Sequence, residues 1–152
     1  MKKIFLILFI GVVSLKSFSQ NCEERESQLL GAMGSLSAGF LYNTYGLIGS
    51  IADGYGHDAY KAATVTDLLN AQQKLADNVI ELLEKMIKEN VFKDQDDKDY
   101  MASSINIIKG LKSQMQIFLN FMNNKKQENL DAYDAQRNKN WKDLSKLMGI
   151  KE

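Results

Sequence analysis

The chain has 152 residues, no proline, one cysteine and one histidine, and its 19 basic residues balance 19 acidic ones. A nucleic-acid binder carries a basic excess or stripe, so the neutral balance speaks against a nucleic-acid partner. One cysteine excludes an internal disulfide, and one histidine excludes zinc catalysis by several imidazoles.

Met1-Lys2-Lys3 is a short basic start, and Ile4 to Leu15 is apolar apart from Gly11 and Ser14. Ser17 and Ser19 put small residues at the −3 and −1 positions of a cut before Gln20. That is the pattern of a secretory signal peptide over residues 1–19. Its apolar run falls short of the roughly 20 residues that a spanning helix needs. A lipid anchor on Cys22 is disfavoured, because Ser19-Gln20-Asn21 lacks the small residue expected just before the modified cysteine. Residues 20–152 then form a single domain whose core stands on packing alone.

From Glu23 onward apolar residues recur at spacings of three and four, which predicts helices throughout. The first helix is expected over about Glu23–Asp53, with Leu29, Met33, Leu36, Phe40, Asn43, Leu47 and Ile51 on its core stripe. The second runs over about Asp58–Phe92, with Val65, Leu68, Gln72, Leu75, Val79, Leu82 and Met86 inward. A charged turn, Lys93 to Lys98, follows, where Asp96 or Asp97 can cap the next helix. The third helix, about Lys98–Asn123, carries Met101, Ile105, Ile108, Leu111, Met115, Phe118 and Met122. The fourth, about Lys125–Met148, carries Leu130, Arg137, Trp141, Leu144 and Met148, with Gly149 as its stop. Short connections make successive helices antiparallel neighbours, so the expected fold is an all-α, up-down four-helix bundle. The alternative is a long hairpin of the first two helices with the other two packed on it.

Several chemistries fail on their spacing. No Glu-x-x-His pair exists to build a di-iron site, no Cys-x-x-Cys-His to attach haem, and no Gly-Lys-Ser phosphate loop or Gly-x-Ser-x-Gly nucleophile turn. Asp94 to Asp99 is acidic, but an EF-hand would want glycine where Asp99 stands and glutamate where Ile105 stands. His57, in the turn Gly54-Tyr55-Gly56-His57-Asp58, is the one imidazole that could meet a haem, and its place at a bundle end makes it a turn residue instead. The methionines fall on core stripes, where they fill gaps. No cofactor is expected.

Two polar residues fall on the expected seams. Antiparallel pairing about His57 sets Asn43 near Gln72, where the two amides could satisfy each other and fix register. Arg137 sits on an apolar stripe with Asp134 one turn before it, the arrangement of a snorkelling or locally paired arginine.

The first helix has a second regular face: Gly31, Ser35, Ala38, Tyr42, Tyr45, Gly49 and Ala52. The outer face of a soluble helix is normally charged, whereas this one is small and aromatic. Small residues four apart permit close approach of two helices, and something must offset the penalty of about 1 kcal/mol per glycine. Three readings follow: the face is internal to the fold, it meets another chain, or it lies against a membrane, the last not favoured because Asn43, Thr44 and the many Gly and Ser residues weaken the stretch. The expected function is that of an exported helical-bundle protein acting by protein binding or self-assembly and catalysing nothing. Its binding residues are Ser35, Ala38, Tyr42, Tyr45, Gly49 and His57, and its partner is a second copy or another exported protein. The alternative is a periplasmic carrier holding a small hydrophobic or planar ligand between helices near Tyr42, Tyr45, His57 and Tyr60, or a membrane-associated first helix.

Overall fold

The computed structural model describes the backbone of residues 2–150 and the side chains of residues 22–150. The expected leader, residues 1–19, and its cut before Gln20 lie outside these described side chains. Among the described residues there are four helices and no strand: α1 (Lys2–Gly56), α2 (Ala62–Lys88), α3 (Gln95–Asn124) and α4 (Gln127–Met148). The fold is a helical bundle, as the periodicity predicts. Packing divides the chain into two units, Met1–Ser37 and Ala38–Glu152.

In the first unit the described part of α1 keeps its hydroxyls local. Ser35 Oγ donates to the Gly31 carbonyl at 3.0 Å, and Ser37 Oγ to those of Met33 and Gly34 at 2.9 and 3.0 Å. Leu29 and Leu36 are 71% and 75% exposed.

The second unit contains the end of α1 with α2, α3 and α4, and α3 packs against both α2 and α4. Every expected inward residue of α3, from Met101 to Met122, is buried, and Ser104, Ile107 and Gln114 join them. Such agreement follows from α3 touching two neighbours, so that a wide apolar arc must face inward. On α2 the inner row is Val65, Leu69, Ala76, Ile80 and Leu83, shifted by about one residue from the expected stripe. Leu68, Leu75 and Leu82 therefore point outward. On α1 the expected stripe is corrected more strongly. Leu41, Thr44, Ile48, Ile51 and Ala52 are buried, whereas Asn43 and Leu47 are exposed. Rotation of α1 follows from its contacts with α4, where Tyr45 stacks on Trp141 with ring centroids 5.5 Å apart. An exposed Asn43 makes no buried amide layer with Gln72, and that expectation is withdrawn.

Connections account for the remaining boundary differences. After Lys88, Asn90 adopts a left-handed conformation (φ 55°), which ends α2 before Phe92 and turns that ring fully into the core. Continuing the helix, as expected from sequence, would forgo this reversal. Asp94 occupies the N-cap of α3 without a side-chain hydrogen bond, and Asp96 and Asp97 fall inside the first turn. There they favour the positive end of the helix dipole, a different role from the expected cap. Between α1 and α2 the Tyr60 ring lies on Gly54, where an added Cβ would overlap it, and Asp58 turns left-handed (φ 57°). Gly149 ends α4 in the left-handed conformation expected of a helix stop (φ 67°). Exposed pairs, Lys109 with Glu84 at 2.8 Å and Lys112 with Asp77, link α3 to α2; pairs so open to water each contribute at most about 1 kcal/mol.

Candidate functional site

Polar groups gather where α4 meets α3 and the end of α1. Asn140, buried on α4, donates from Nδ2 to Gln114 Oε1 on α3 at 2.8 Å, and its Oδ1 accepts from Gln136 Nε2 at 2.8 Å. The carboxamide fits because Gly110 has no side chain. An added Cβ there would overlap Asn140 Oδ1 and come within 3.4 Å of Gln136 Nε2. Here the bundle has an amide layer, on α3 and α4 instead of at the expected Asn43 and Gln72. The sequence signal was partial: Gln136 and Asn140 lie one turn apart on α4, but Gln114 only flanks the unbroken apolar row of α3.

Beside this layer stands an aromatic group. Phe118 contacts Tyr133 at 5.0 Å, Phe121 at 6.0 Å and, edge to face, Tyr55 at 6.0 Å between centroids. The Tyr133 hydroxyl is buried with no hydrogen bond of acceptable geometry, and Gln114 Nε2 and Ser145 Oγ share that condition. Burial pushes the Tyr133 phenol above its ordinary pKa, and the facing Gln114 amide acts the other way. Arg137 crosses from α4 toward α1, where its Nη2 lies 3.4 Å from the position a Cβ on Gly49 would take. The Tyr45 side chain is the largest cause raising its pKa above the usual guanidinium value, with desolvation opposing. Gly49 thus receives an arginine, and Arg137 turns toward Tyr45 on α1 instead of pairing with Asp134 as expected. Chemically, a layer of three carboxamides supplies neither a nucleophile nor a group that titrates. It fixes the register of α3 against α4.

The outer surface of the second unit is different. Leu68, Leu75 and Leu82 on α2 are 40%, 44% and 56% exposed. Seven-residue spacing keeps them on one side of the helix, in a row about 21 Å long at 1.5 Å per residue. Ala71 and Asn78, also exposed, lie between them, so the row carries no charge. Tyr42 and Leu47 on α1 are exposed as well. An open groove of about 470 Å³ lies along α3 and α4, with Asp99, Asn106, Asp143 and Lys146 on its walls.

The expected binding residues fall into several environments. Ser35 is exposed in the first unit, and Ala38 is half-buried. Tyr42 is exposed, Tyr45 lies on Trp141, and Gly49 is buried under Arg137. His57 is exposed in the α1–α2 turn, its backbone N–H donating to the Asp53 carbonyl at 3.0 Å. Tyr45, Gly49 and Ala52 therefore share a face that is interior to the second unit, and Tyr42 does not belong to it. The leucine row of α2 escaped the sequence reading because its residues were assigned to the core. Among the described residues no helix is long and apolar enough to cross a membrane, and no three His, Cys, Asp or Glu side chains converge as a metal site would require. Compared with protein-family models, curated proteins and solved structures, the chain matches none.

Proposed function

We propose that the protein is an exported helical bundle that acts by binding a protein surface, its own or another's, and catalyses nothing. One observation carries the reading: the uncharged row of Leu68, Leu75 and Leu82 on the outside of α2, each at least 40% exposed. Fully burying a leucine contributes about 1.5–3 kcal/mol, so covering three half-exposed ones adds about 2–4 kcal/mol from this side alone. That is enough for the apolar centre of an interface with a polar rim. A soluble helix with nothing to meet would normally place charges there. Export rests on the basic start, the short apolar run and the Ser17/Ser19 pair.

The test is Leu75→Glu in the chain that begins at Gln20. The substitution lies on the exposed row, so the helical circular dichroism should persist while association, read by light scattering and by capture of exported proteins from the native host, is lost. An unfolded variant would mean that the row is core, and unchanged association would mean that it is bare solvent surface.

A further inference from the structure

Resting on that reading, we propose that Leu75 and Leu82 of the α2 row are covered by a second copy of this chain, through the Glu23–Leu36 stretch of that copy's α1, with Leu68 at the edge of the contact opposite Asn43. The two surfaces match in spacing and in charge. Leu29 and Leu36 are seven residues apart and the most exposed leucines described, and Leu75 and Leu82 are also seven apart. A single antiparallel register sets Leu36 beside Leu75, Leu29 beside Leu82, Glu26 beside Lys85 and Glu23 beside Lys88. Both lysines lie in the last turn of α2, Lys85 already 3.9 Å from Glu89, and a facing segment that carries Glu23, Glu24 and Glu26 against the single Arg25 gains from complementary charge without requiring buried ions. Leucines at heptad spacing supply one of the two seam positions of packed helices, and opposite flanking charges favour one orientation. Each chain offers one such segment and one such row. A second copy can therefore supply the segment that this chain's row receives.

Disulfide trapping tests this in the mature chain with Cys22→Ser. A chain carrying Leu36→Cys is mixed with one carrying Leu75→Cys and oxidised, and separately both substitutions are placed in one chain. The proposal predicts a 36-to-75 disulfide between different chains in the mixture, identified by mass, and a covalent dimer from the doubly substituted chain. Adding Glu26→Lys and Glu23→Lys should lower the trapped yield, and Leu29→Glu should lower it at least tenfold, since an unpaired carboxylate in an apolar seam costs more than the 1.4 kcal/mol that a factor of ten represents. A doubly substituted chain that closes on itself as a monomer overturns both this inference and the reading beneath it, because the row is then covered from within. No 36-to-75 disulfide in either sample, with Leu75→Glu still abolishing association, overturns the second-copy occupant and leaves a binding surface for a different protein.

Discussion

Gly110→Ala should destabilise the bundle, although glycine-to-alanine changes inside helices ordinarily do the reverse. Gly110 lies in the middle of α3 (Gln95–Asn124), where alanine is intrinsically better by about 1 kcal/mol. Its absent Cβ is what admits the Asn140 carboxamide. With the methyl group present, Asn140 Oδ1 must withdraw, and the bonds to Gln114 and Gln136 go with it. Two hydrogen bonds contribute about 1 kcal/mol each, and leaving the fully buried Gln114 carbonyl oxygen without a partner adds about 1–3 kcal/mol. Against the gain in propensity the net loss is about 2–4 kcal/mol. Urea titration followed by circular dichroism measures it. In an Asn140→Ala background the obstruction is gone, and the same Gly110→Ala change should be neutral or stabilising, a non-additivity expected only of groups in contact. A Gly110→Ala protein more stable than the parent, in the presence of Asn140, would refute the close approach of α3 and α4 at this layer.

Tyr133→Phe should change stability by less than about 1 kcal/mol at neutral pH, because the Gln114 amide that faces the lost hydroxyl stands outside good hydrogen-bonding geometry; a larger loss by thermal or urea unfolding would show that the two groups bond. In alkali the sign follows from its raised pKa: the folded state holds the phenol proton more tightly, so this group's stabilisation is complete below the unfolded value of about 10 and is lost as pH rises through the folded one. Among the six tyrosines Tyr133 should accordingly ionise late in an ultraviolet titration, and the phenylalanine variant should lack that step. Glu84→Gln, which removes the exposed partner of Lys109, should cost less than about 1 kcal/mol in the same urea assay. Under the proposed export, mass spectrometry of the protein from its native host should find an unlipidated N-terminus at Gln20 or within two residues of it, and a diacylated Cys22 would contradict that.

Legibility varied with how many neighbours each helix has. On α3 the expected stripe from Met101 to Met122 was readable, because the helix packs against two others and its apolar positions outnumber any competing pattern, while Ser104, Ile107 and Gln114 beside it were not. In α1 two stripes of similar regularity compete, one through Phe40, Asn43 and Leu47 and one through Leu41, Thr44 and Ile48. Nothing local decides between them; Trp141 and Arg137 on α4 do. For α2 the choice between Leu68 and Leu69, Leu75 and Ala76, or Leu82 and Leu83 turns on a rotation of about one residue. A chain with leucines on both sides of that choice leaves one set outside. The same ambiguity hid the candidate surface, since a leucine at heptad spacing reads as core until its neighbours are placed. Gln114 and Asn140 were missed for a related reason: pairing between α3 and α4 depends on Gly110, whose lack of a side chain gives no periodic signal.

Thiol labelling at position 75 tests the claim of an interface on α2 most directly. In the chain that begins at Gln20 with Cys22→Ser, Leu75→Cys places a small reporter on the row with little change in packing. The account predicts slow labelling by a maleimide at high protein concentration and fast labelling on dilution, as the covering partner dissociates, with circular dichroism unchanged throughout. Fast labelling at every concentration would mean that nothing of this chain covers the row, and equally slow labelling at every concentration would mean that the row is buried within the single chain.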